Sequence, residues 1–266
     1  MPLIDYHEQF AATYDSFYPH RDVDGQVTQA LALLDLKPCD GRRPKVLDFG
    51  CGTGPHVIAL AQKGIDAVGF DASPAMIAQA RAKMLPTGAA SVRFQAGGFA
   101  EWCDQYSDER FDGVVSFANI LNCMESPAEM LLNLRLIRKM LSVGARLIME
   151  VWNGAAVFVD DPRPEITRTH DPACPRREII RVTTPTVDRV NQRCTLHYRV
   201  IRMNPDDGRC EDFESTHNLK FLTPLHYRHM FELADLTVLE EFPRGRPGVP
   251  ITQDDWYISY LLRGDG

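Results

Sequence analysis

A glycine-rich turn between an apolar strand and a helix restricts the fold of this chain more than any other feature. Residues 45–49 are expected to form a short buried strand, and 50–54 contain three glycines. Pro55 then opens a helix that ends at Gly64, and 67–70 have the composition of a second strand. Two strands joined through a helix lie parallel in one sheet because the crossover returns the chain to the same end of the sheet. The segment therefore predicts a βαβ unit.

Strands and helices keep alternating as far as residue 151. Ser73 and Pro74 provide the N-cap and the first residue of the next helix. Ser126 and Glu129 form a capping box for another helix, which we expect to end near residue 141. Further strands are expected at 91–95, 111–117 and 145–151. This alternation predicts an α/β fold with a doubly wound, mostly parallel, Rossmann-like sheet.

The segments on either side of this alternation have other patterns. Residues 5–36 are expected to be helical, with aromatic residues at helical spacing on one face: Phe10, Tyr14, Phe17 and Tyr18. A break at 37–41, with a proline and a glycine, follows. From about 177 to 221, polar and apolar residues alternate around a turn at 204–208, which predicts a small antiparallel sheet inserted after strand five.

One more helix and two more strands complete a seven-stranded sheet. Thr223 and Pro224 begin the helix, which runs to about Ala234, and the strands lie near 237–242 and 256–262. The predicted organisation is an N-terminal helical cap (1–36), a cofactor-binding α/β core (37–152), an antiparallel insertion covering the substrate site (153–222) and a C-terminal part that completes the core sheet (223–266).

The bulk composition narrows the range of partners. A net charge of −7 and a pI near 5.6 give no general attraction to nucleic acid or to an anionic membrane. The seven cysteines are scattered without a Cys-x-x-Cys pair, so neither a zinc site nor a disulfide framework is expected. We find no signal peptide and no apolar run near the roughly 18–20 residues that span a bilayer. We therefore expect a cytoplasmic protein without a metal, and the sequence leaves a homodimer open.

The chemistry around the glycine turn indicates its ligand. In the dinucleotide pattern Gly-x-Gly-x-x-Gly the third glycine would fall where this chain has Pro55, which lacks a backbone N–H and fills the space between helix and strand. Asp48 suits a ligand's ammonium group and is unfavourable beside a pyrophosphate. Asp71, at the end of the second strand, can accept hydrogen bonds from two ribose hydroxyls. A ligand with an amino-acid end, a ribose and no phosphate satisfies these residues, and S-adenosylmethionine is such a ligand.

Two motifs resemble a known family. Residues 46–54 and 68–76 are similar to the first and second motifs of class I S-adenosylmethionine-dependent methyltransferases. The run at 52–56 (Gly-Thr-Gly-Pro-His), residues 12–18 and the antiparallel insertion further resemble the small-molecule group of this class, which includes amino-sugar N-methyltransferases and glycine N-methyltransferase. The resemblance covers nearly the whole chain, and its motifs are specific for the reaction rather than for the substrate.

The resemblance implies which residues hold the cofactor. The expected set is Tyr14, Tyr18, Asp48, Gly50, Gly52, Gly54, Asp71, Ala72, Met76, Gly98, Phe99 and Phe117. Asp48 and the turn would hold the methionine end, and Asp71 the ribose. The family usually has an aspartate after strand three for the adenine amino group, whereas this chain has Gly98. Backbone groups near Gly98 and Phe99 would then have to make the adenine contact.

Three residues are candidates for the acceptor side of the site. Tyr14, with Tyr18 one helical turn away, could cover the sulfonium face, an interaction of about 0.5–2 kcal/mol, or both could be core aromatics. Asn122, after strand four, cannot act as a base and would at most orient the acceptor. His217 is the candidate base, because the insertion folds over the site in relatives, with a structural role as the alternative.

The insertion is also rich in arginine, and two interpretations remain open. The arginines are Arg176, Arg177, Arg181, Arg189, Arg193, Arg199 and Arg202. Their forked side chains could bind an anionic acceptor such as a nucleotide sugar. Alternatively, they form the solvated face of an antiparallel sheet, which is the more common case.

These observations predict methyl transfer from S-adenosylmethionine to a small molecule. Nitrogen is favoured over oxygen because no strong base is evident, and an amine needs only to arrive deprotonated. An O- or C-methyltransferase of secondary metabolism is the alternative within the enzyme class, and a non-catalytic cofactor-binding regulatory module is the alternative outside it. Pro55 and Asp48 disfavour a nicotinamide oxidoreductase.

Overall fold

The computed structural model describes residues 8–36, 41–83, 90–171, 174–206 and 208–264. In chain order the strands are β1 (Lys45–Phe49), β2 (Asp66–Asp71), β3 (Val92–Ala96), β4 (Phe111–Ser116), β5 (Leu141–Trp152), β6 (Glu165–Asp171), β7 (Cys174–Asp188), β8 (Arg193–Met203), β9 (Cys210–Lys220), β10 (Leu236–Pro243) and β11 (Tyr257–Gly264). The helices are α1 (Glu8–Thr13), α2 (Val23–Leu34), α3 (Pro55–Gln62), α4 (Pro74–Ala82), α5 (Phe99–Gln105), α6 (Pro127–Met140), α7 (Gly154–Val159) and α8 (Pro224–Leu233), with 3-10 turns at Tyr14–Phe17 and Ile120–Cys123.

Seven strands form one sheet in the order β10-β11-β5-β4-β1-β2-β3. Strands β1 to β5 run parallel to one another, and β11 runs antiparallel to both β5 and β10. The chain winds outward from β1 to β3 and then crosses back to β4, so the strand order reverses between β1 and β4. Ligands bind outside the carboxyl ends of the strands at such a reversal. The predicted doubly wound, seven-stranded fold is confirmed.

The central strand divides two apolar layers. Leu47 of β1 packs with α6 and α8 on one face of the sheet, and Val46 packs with α2 and α3 on the other. Both side chains are fully buried. Because successive side chains of a strand point to opposite faces, this near-continuous apolar strand requires cover on both sides.

The predicted helix starts are present, with differences in how they are capped. Ser73 Oγ accepts a hydrogen bond from Met76 N at 3.3 Å, as expected for its N-cap position. Ser126 Oγ accepts from Glu129 N at 3.2 Å, but the Glu129 carboxylate accepts from Glu125 N rather than from the cap residue itself. Thr223 makes no side-chain cap bond. The α8 terminus therefore relies on the proline that follows Thr223, whose φ is already helical.

The N-terminal segment is not the single helix that the aromatic spacing suggested. It divides into α1, a 3-10 turn and α2, because Asp22 accepts a hydrogen bond from Gly25 N at 2.9 Å and starts a new helix there. Residues 1–7 and 37–40 lie outside the described residues, so the start of the predicted cap and most of the predicted break are not assessed. None of the described helices is long and apolar enough to cross a membrane.

The inserted sheet is larger than its sequence pattern indicated. Its strand order is β6-β7-β8-β9, entirely antiparallel, and it begins at β6 rather than near residue 177. Strand β6 has no buried residue and one apolar side chain, Ile166, so it lacks the polar–apolar alternation that revealed the other three. One face of the sheet packs on the N-terminal segment, where Phe10 and Phe17 meet Ile179, Val200 and Phe213. The boundaries proposed at 36, 152 and 222 stay predictions.

Candidate active site

A cavity of about 640 Å³ opens at the carboxyl ends of β1, β2 and β4. Side chains and backbone from the loops after these strands form its wall, and the N-terminal segment contributes Tyr14 and Arg21. Nine residues of the predicted cofactor-binding set line it: Tyr14, Gly50, Gly52, Asp71, Ala72, Met76, Gly98, Phe99 and Phe117. The predicted strand ends and the glycine turn therefore do converge on one concave site.

The three glycines of the turn are required for different reasons. All have positive φ, which other residues adopt at a cost. A Cβ on Gly50 would overlap the Ile120 side chain, and one on Gly54 would come within 2.6 Å of the Phe94 ring, whereas one on Gly52 would meet nothing within 4 Å. Gly52 therefore faces open space in the cavity wall. Gly54, which was expected to bind the cofactor, packs against the sheet instead and does not line the cavity.

Asp71 ties the ends of β1 and β2 together. Its Oδ2 accepts a hydrogen bond from Gly52 N at 2.8 Å, and its Oδ1 accepts from Ser73 N at 2.9 Å. Burial raises the pKa of Asp71, and these two amides oppose that shift. Each oxygen retains a second lone pair at the cavity wall, so the carboxylate could still accept bonds from a diol.

Asp48 lies beneath the turn, with 1% of its surface exposed, and its Oδ2 accepts no hydrogen bond from any described residue. Burial, together with the nearby charge of Asp71, raises the pKa of Asp48 to about 8, and Arg21 opposes this shift. A buried carboxylate without a partner is costly unless a cation or a proton compensates it. An ammonium group is such a cation, so this residue fits the amino-acid end of S-adenosylmethionine.

Arg21 is a wall residue that the sequence interpretation missed. Its guanidinium lies 4.6 Å from the Tyr18 ring centre, and its charge opposes the upward pKa shift of Asp48. A cation beside the unpartnered Asp48 could hold a ligand carboxylate while Asp48 holds the ammonium. The signal was available, because Arg21 closely follows the aromatic pair Tyr14 and Tyr18, but the expected continuous helix gave no reason to turn it inward.

Asp15, a second residue that the sequence interpretation missed, links the N-terminal segment to the glycine turn by a hydrogen bond. Asp15 Oδ1 accepts a hydrogen bond from Thr53 Oγ1 at 2.6 Å, and its Oδ2 lies 2.8 Å from Lys83 Nζ. Lys83 also donates to the Thr53 carbonyl at 2.7 Å. The 3-10 turn that carries Tyr14 is thereby held over the cavity by contacts with residues far away in the sequence.

The two tyrosines occupy different environments. Tyr14 lines the cavity, and its ring centre is 5.2 Å from that of Tyr18. Tyr18 is 39% exposed and lies outside the cavity wall, between the guanidinium groups of Arg21 and Arg181. The expectation that both rings cover the same ligand face is corrected, because the 3-10 turn and the break after it direct Tyr18 away.

Asn122 has a structural role that excludes the predicted one. Its Nδ2 donates to the Lys220 carbonyl at 2.6 Å and to Tyr227 Oη at 2.7 Å, and its Oδ1 accepts from Trp152 N at 3.0 Å. The side chain is fully buried and joins the ends of β5, β9 and α8. Its amide therefore has no free donor with which to orient an acceptor, and this prediction was wrong.

His217 lies away from the cavity wall. It is 6% exposed on the inner face of β9, where its Nε2 is 3.1 Å from Ser215 Oγ. Its ring packs edge-on against Phe10 at 4.9 Å and Tyr198 at 4.7 Å. The imidazole thus belongs to the aromatic cluster between the inserted sheet and α1, and the prediction of a base at the reaction centre is corrected.

Two ionisable side chains that do line the cavity are His56 and Cys123. The His56 ring lies 4.4 Å from the Phe117 ring, and its Nε2 is 3.0 Å from Gln26 Oε1. Burial lowers the pKa of His56 to about 3 and raises that of the Cys123 thiol to about 12. Burial likewise raises the pKa of the Tyr14 phenol well above its usual range. All three groups are therefore neutral at physiological pH.

The wall near the missing aspartate is formed by backbone and by α6. Gly97, Gly98 and Phe99 line the cavity, as do Glu129 and Asn133 of α6. A Cβ on residue 98 would meet only the Glu101 carboxylate, the end of a flexible side chain, and Gly98 has an extended backbone that other residues also adopt. Among the described residues, no cluster of histidine, cysteine or acidic side chains could hold a metal ion.

Comparison with known proteins gives three matches that bear on this geometry. A family model described as a methyltransferase domain matches residues 42–235. The chain is 35% identical over 78 residues to the magnesium-protoporphyrin O-methyltransferase of Rhodobacter capsulatus, a match covering 29% of this chain and 35% of that protein. It is 26% identical over 254 residues to the dTDP-3-amino-3,4,6-trideoxy-alpha-D-glucopyranose N,N-dimethyltransferase of Streptomyces venezuelae, covering 92% of this chain and 99% of that protein.

Solved structures give the same fold. An S-adenosylmethionine-dependent methyltransferase from Clostridium acetobutylicum superposes with a TM-score of 0.77 at 14% identity, covering 97% of this chain and 98% of the other. Among the curated relatives, the chain spans about a third of the magnesium-protoporphyrin enzyme and nearly all of the amino-sugar enzyme. The structural match extends over the inserted sheet as well as the core.

Proposed function

The chain belongs to the methyltransferase-domain family, whose methyl donor is S-adenosylmethionine, and we propose that it methylates a nitrogen of a small molecule. When bound, the cofactor supplies an electrophilic methyl group on a sulfonium. The protein's task is then to hold the donor, exclude water and align a nucleophile that carries a free lone pair.

Asp48, beneath the turn, and four residues of the cavity wall would hold the donor. Asp48 would accept a hydrogen bond from the ammonium group, Arg21 would pair with the carboxylate, and Asp71 would accept hydrogen bonds from the ribose hydroxyls. Ala72 and Met76 would provide the apolar flank of the adenine. This assignment is supported by the unpartnered Asp48 Oδ2 and by the position of the other four residues in the cavity wall.

The choice of nitrogen is supported by the ionisable side chains Tyr14, His56 and Cys123, which line the cavity and whose pKa values lie far from neutrality. Tyr14 and Cys123 hold their protons because burial raises their pKa values, the latter to about 12. His56 is neutral, but a pKa of about 3 makes it too weak a base to take a proton from a hydroxyl. An acceptor hydroxyl would need such a base, whereas an amine brings its own lone pair once deprotonated. These residues therefore favour an amine.

The nearly full-length similarity to an amino-sugar N,N-dimethyltransferase supports the same choice, since it includes the insertion that lies beside the cavity. The match to the magnesium-protoporphyrin O-methyltransferase is shorter and covers 29% of this chain. A match of that length adds little about the acceptor.

An acceptor screen with matched pairs tests the proposal. Each amine is paired with the hydroxyl compound of the same skeleton: glucosamine with glucose, glycine with glycolate, and a thymidine-diphosphate amino sugar with thymidine-diphosphate glucose. S-adenosylhomocysteine release is measured. We expect turnover with at least one amine and a rate at least a hundredfold lower with its hydroxyl partner. Preference for a hydroxyl compound would contradict the proposal.

The pH dependence gives a second test with the best amine. Because Tyr14, His56 and Cys123 supply no base near neutrality, log kcat/KM for the amine, measured at a saturating concentration of S-adenosylmethionine, should rise with a slope near one up to the pKa of the amine itself. Replacing that amine by one of different pKa should move the bend by the same amount. A bend that stays at one pH for both amines would indicate an enzyme base and would favour oxygen or carbon methylation.

Cofactor binding is measured separately by isothermal titration with S-adenosylhomocysteine. We expect the unmodified protein to bind and an Asp71→Ala variant to bind at least tenfold more weakly, because the loss includes hydrogen bonds to a charged group. Binding without turnover of any acceptor would favour a regulatory module. Absence of binding would overturn the assignment of the cavity.

A further inference from the structure

The inner face of the inserted sheet carries two buried polar side chains side by side. Arg181 and Thr183 follow one another on the same face of β7, and each is 8% exposed. Thr183 lies opposite Tyr198 of β8, which lies opposite Ser215 of β9. A row of polar side chains therefore crosses a face that is otherwise apolar and packed on the N-terminal segment.

The Arg181 guanidinium forms no ion pair with any carboxylate in the described part of the chain. Its Cζ lies 4.7 Å from the Phe17 ring centre and 5.6 Å from those of Tyr18 and Tyr198. Its Nη2 donates to Thr167 Oγ1 at 3.3 Å, and its Nε donates to no described atom. The effective cost of burying a cation is several kcal/mol, which cation–π contacts of about 0.5–2 kcal/mol each offset only in part.

Of the other six arginines named in the sequence analysis, five are ion-paired and Arg193 is exposed. The pairs are Arg176–Asp206, Arg177–Asp171, Arg189–Asp161, Arg199–Asp212 and Arg202–Glu211. These six follow the interpretation of a charged sheet surface. Arg181 differs from them because it is buried and faces three aromatic rings, so the alternative interpretation, an anion site, applies to it.

A second unpartnered group lies beside it. Thr183 Oγ1 is buried and hydrogen-bonds to no described residue. Two adjacent polar side chains, both more than nine-tenths buried and both with unused hydrogen-bonding groups, form a site for a ligand that accepts from a guanidinium and from a hydroxyl.

Arg181 and Thr183 do not line the cavity but are connected to its wall through two tyrosine rings. Tyr18, which contacts Arg181, is tilted against Tyr14 with the ring centres 5.2 Å apart, and Tyr14 is in the cavity wall. Tyr18 is the half-exposed ring of the three around Arg181, and it lies just after the 3-10 turn, outside α1 and α2. Tyr18 thus contacts both the guanidinium and a ring of the cavity wall.

We propose that Arg181 and Thr183 bind an oxyanion of the methyl acceptor, a carboxylate or a phosphate, and that Tyr18 moves aside to admit it. The guanidinium fork takes two oxygens, and the threonine hydroxyl donates to one of them. The acceptor is thereby anchored at its charged end while its amine reaches Tyr14 and the donor methyl group. This inference rests on the proposed function, because it assigns one subsite of the same reaction.

The test is an anion titration of the protein saturated with S-adenosylhomocysteine, followed by the midpoint of thermal unfolding. The probes are sodium malonate for a carboxylate and sodium pyrophosphate for a phosphate, each compared with sodium chloride at equal ionic strength. We expect a saturable rise of the midpoint with one probe, which identifies the anion class. Arg181→Met should weaken the apparent affinity at least tenfold, and Arg199→Met, an exposed ion-paired control, should leave it unchanged.

If Arg181→Met does not fold, Thr183→Val tests the same site, because it replaces the hydroxyl with a methyl group of similar size. This variant should weaken anion affinity three- to tenfold. An equal response of both variants and the unmodified protein, or no saturable rise with either probe, would overturn the inference. The titration is repeated without S-adenosylhomocysteine, whose binding is measured on its own. Failure of cofactor binding would therefore be visible as a separate result that concerns the proposed function.

Discussion

Glu150 Oε2 accepts a hydrogen bond from Ala118 N at 3.3 Å, and this contact holds a strained turn at the cavity wall. Ala118 and Asn119 both have positive φ, 59° and 64°, which costs non-glycine residues roughly 1–2 kcal/mol each. Arg244 Nε lies 3.0 Å from the same Glu150 oxygen, and Arg244 Nη2 donates to Asn119 Oδ1 at 3.2 Å. An ion pair between the buried Glu150 and the partly exposed Arg244 thus fixes the backbone where the loop after β4 reaches the cavity.

Glu150→Gln should lower the free energy of unfolding by about 1–3 kcal/mol, because the Arg244 guanidinium loses its carboxylate in a buried setting. S-adenosylhomocysteine affinity should fall with it, since Ala118 lines the cavity. Urea unfolding and isothermal titration measure the two effects. Glu241→Gln, which breaks the exposed pair with Arg228, is the control and should cost under about 1 kcal/mol. Equal effects of the two variants would refute this role.

Cofactor affinity should depend on pH through Asp48, whose pKa burial raises to about 8 from its usual 3.8. Only the carboxylate pairs well with an ammonium group, so affinity for S-adenosylhomocysteine should fall roughly tenfold per unit as pH drops from 8 to 6. Asp48→Asn should bind weakly at every pH in this range. A pH dependence that survives in Asp48→Asn would show that another group controls it.

The same shift has the opposite consequence for the ligand-free protein. A folded-state pKa above the unfolded value means that the protonated carboxyl of Asp48 stabilises the fold. That contribution is complete below about pH 4 and is lost as pH rises through 8. Stability curves of the unmodified protein and Asp48→Asn, recorded from pH 5 to 9, should therefore diverge toward high pH, with the variant losing less.

Two glycines of the turn should respond differently to alanine. Gly50→Ala places a Cβ against Ile120 and should destabilise the fold by about 2–4 kcal/mol, from the clash together with the positive φ. Gly52→Ala meets nothing within 4 Å, so it should cost only the roughly 1–2 kcal/mol of backbone strain. Its methyl group would project into the cavity and weaken S-adenosylhomocysteine binding. Thermal unfolding and titration together separate the two cases, and equal stability losses would contradict the packing difference.

Asn122→Ala should destabilise the fold by about 3–5 kcal/mol, because it leaves the Trp152 amide and the Tyr227 hydroxyl buried without their partner. Binding of S-adenosylhomocysteine by the folded fraction should change less than threefold, since Asn122 does not line the cavity. Asn133→Ala, a change at a residue of the cavity wall, gives the comparison. A catalytic defect in Asn122→Ala without loss of stability would restore the acceptor role that the structure argues against.

The alternation of strands and helices was predictable because it depends on local patterns. β1 has the bounds expected from its apolar run, and the helices that begin after Ser73 and Ser126 start where short-range capping chemistry requires. β6 was missed because a strand without a buried residue carries no apolar alternation. The N-terminal break was missed because the hydrogen bond from Gly25 N to Asp22 competes with an aromatic spacing that also fits one long helix.

By itself the sequence determined the βαβ core, the glycine turn and the acidic residues at the ends of β1 and β2, since each follows from backbone geometry within a few residues. Only the tertiary structure decided the roles of Arg21, Asn122, Arg181 and His217. Each of these side chains can bind a ligand or satisfy a buried neighbour, and the choice depends on partners far away in the chain. Asn122 meets Lys220 and Tyr227, and His217 meets Phe10, whereas Arg181 meets no carboxylate among the described residues. Long-range packing, which no local pattern encodes, therefore separates the structural residues from the candidate functional ones.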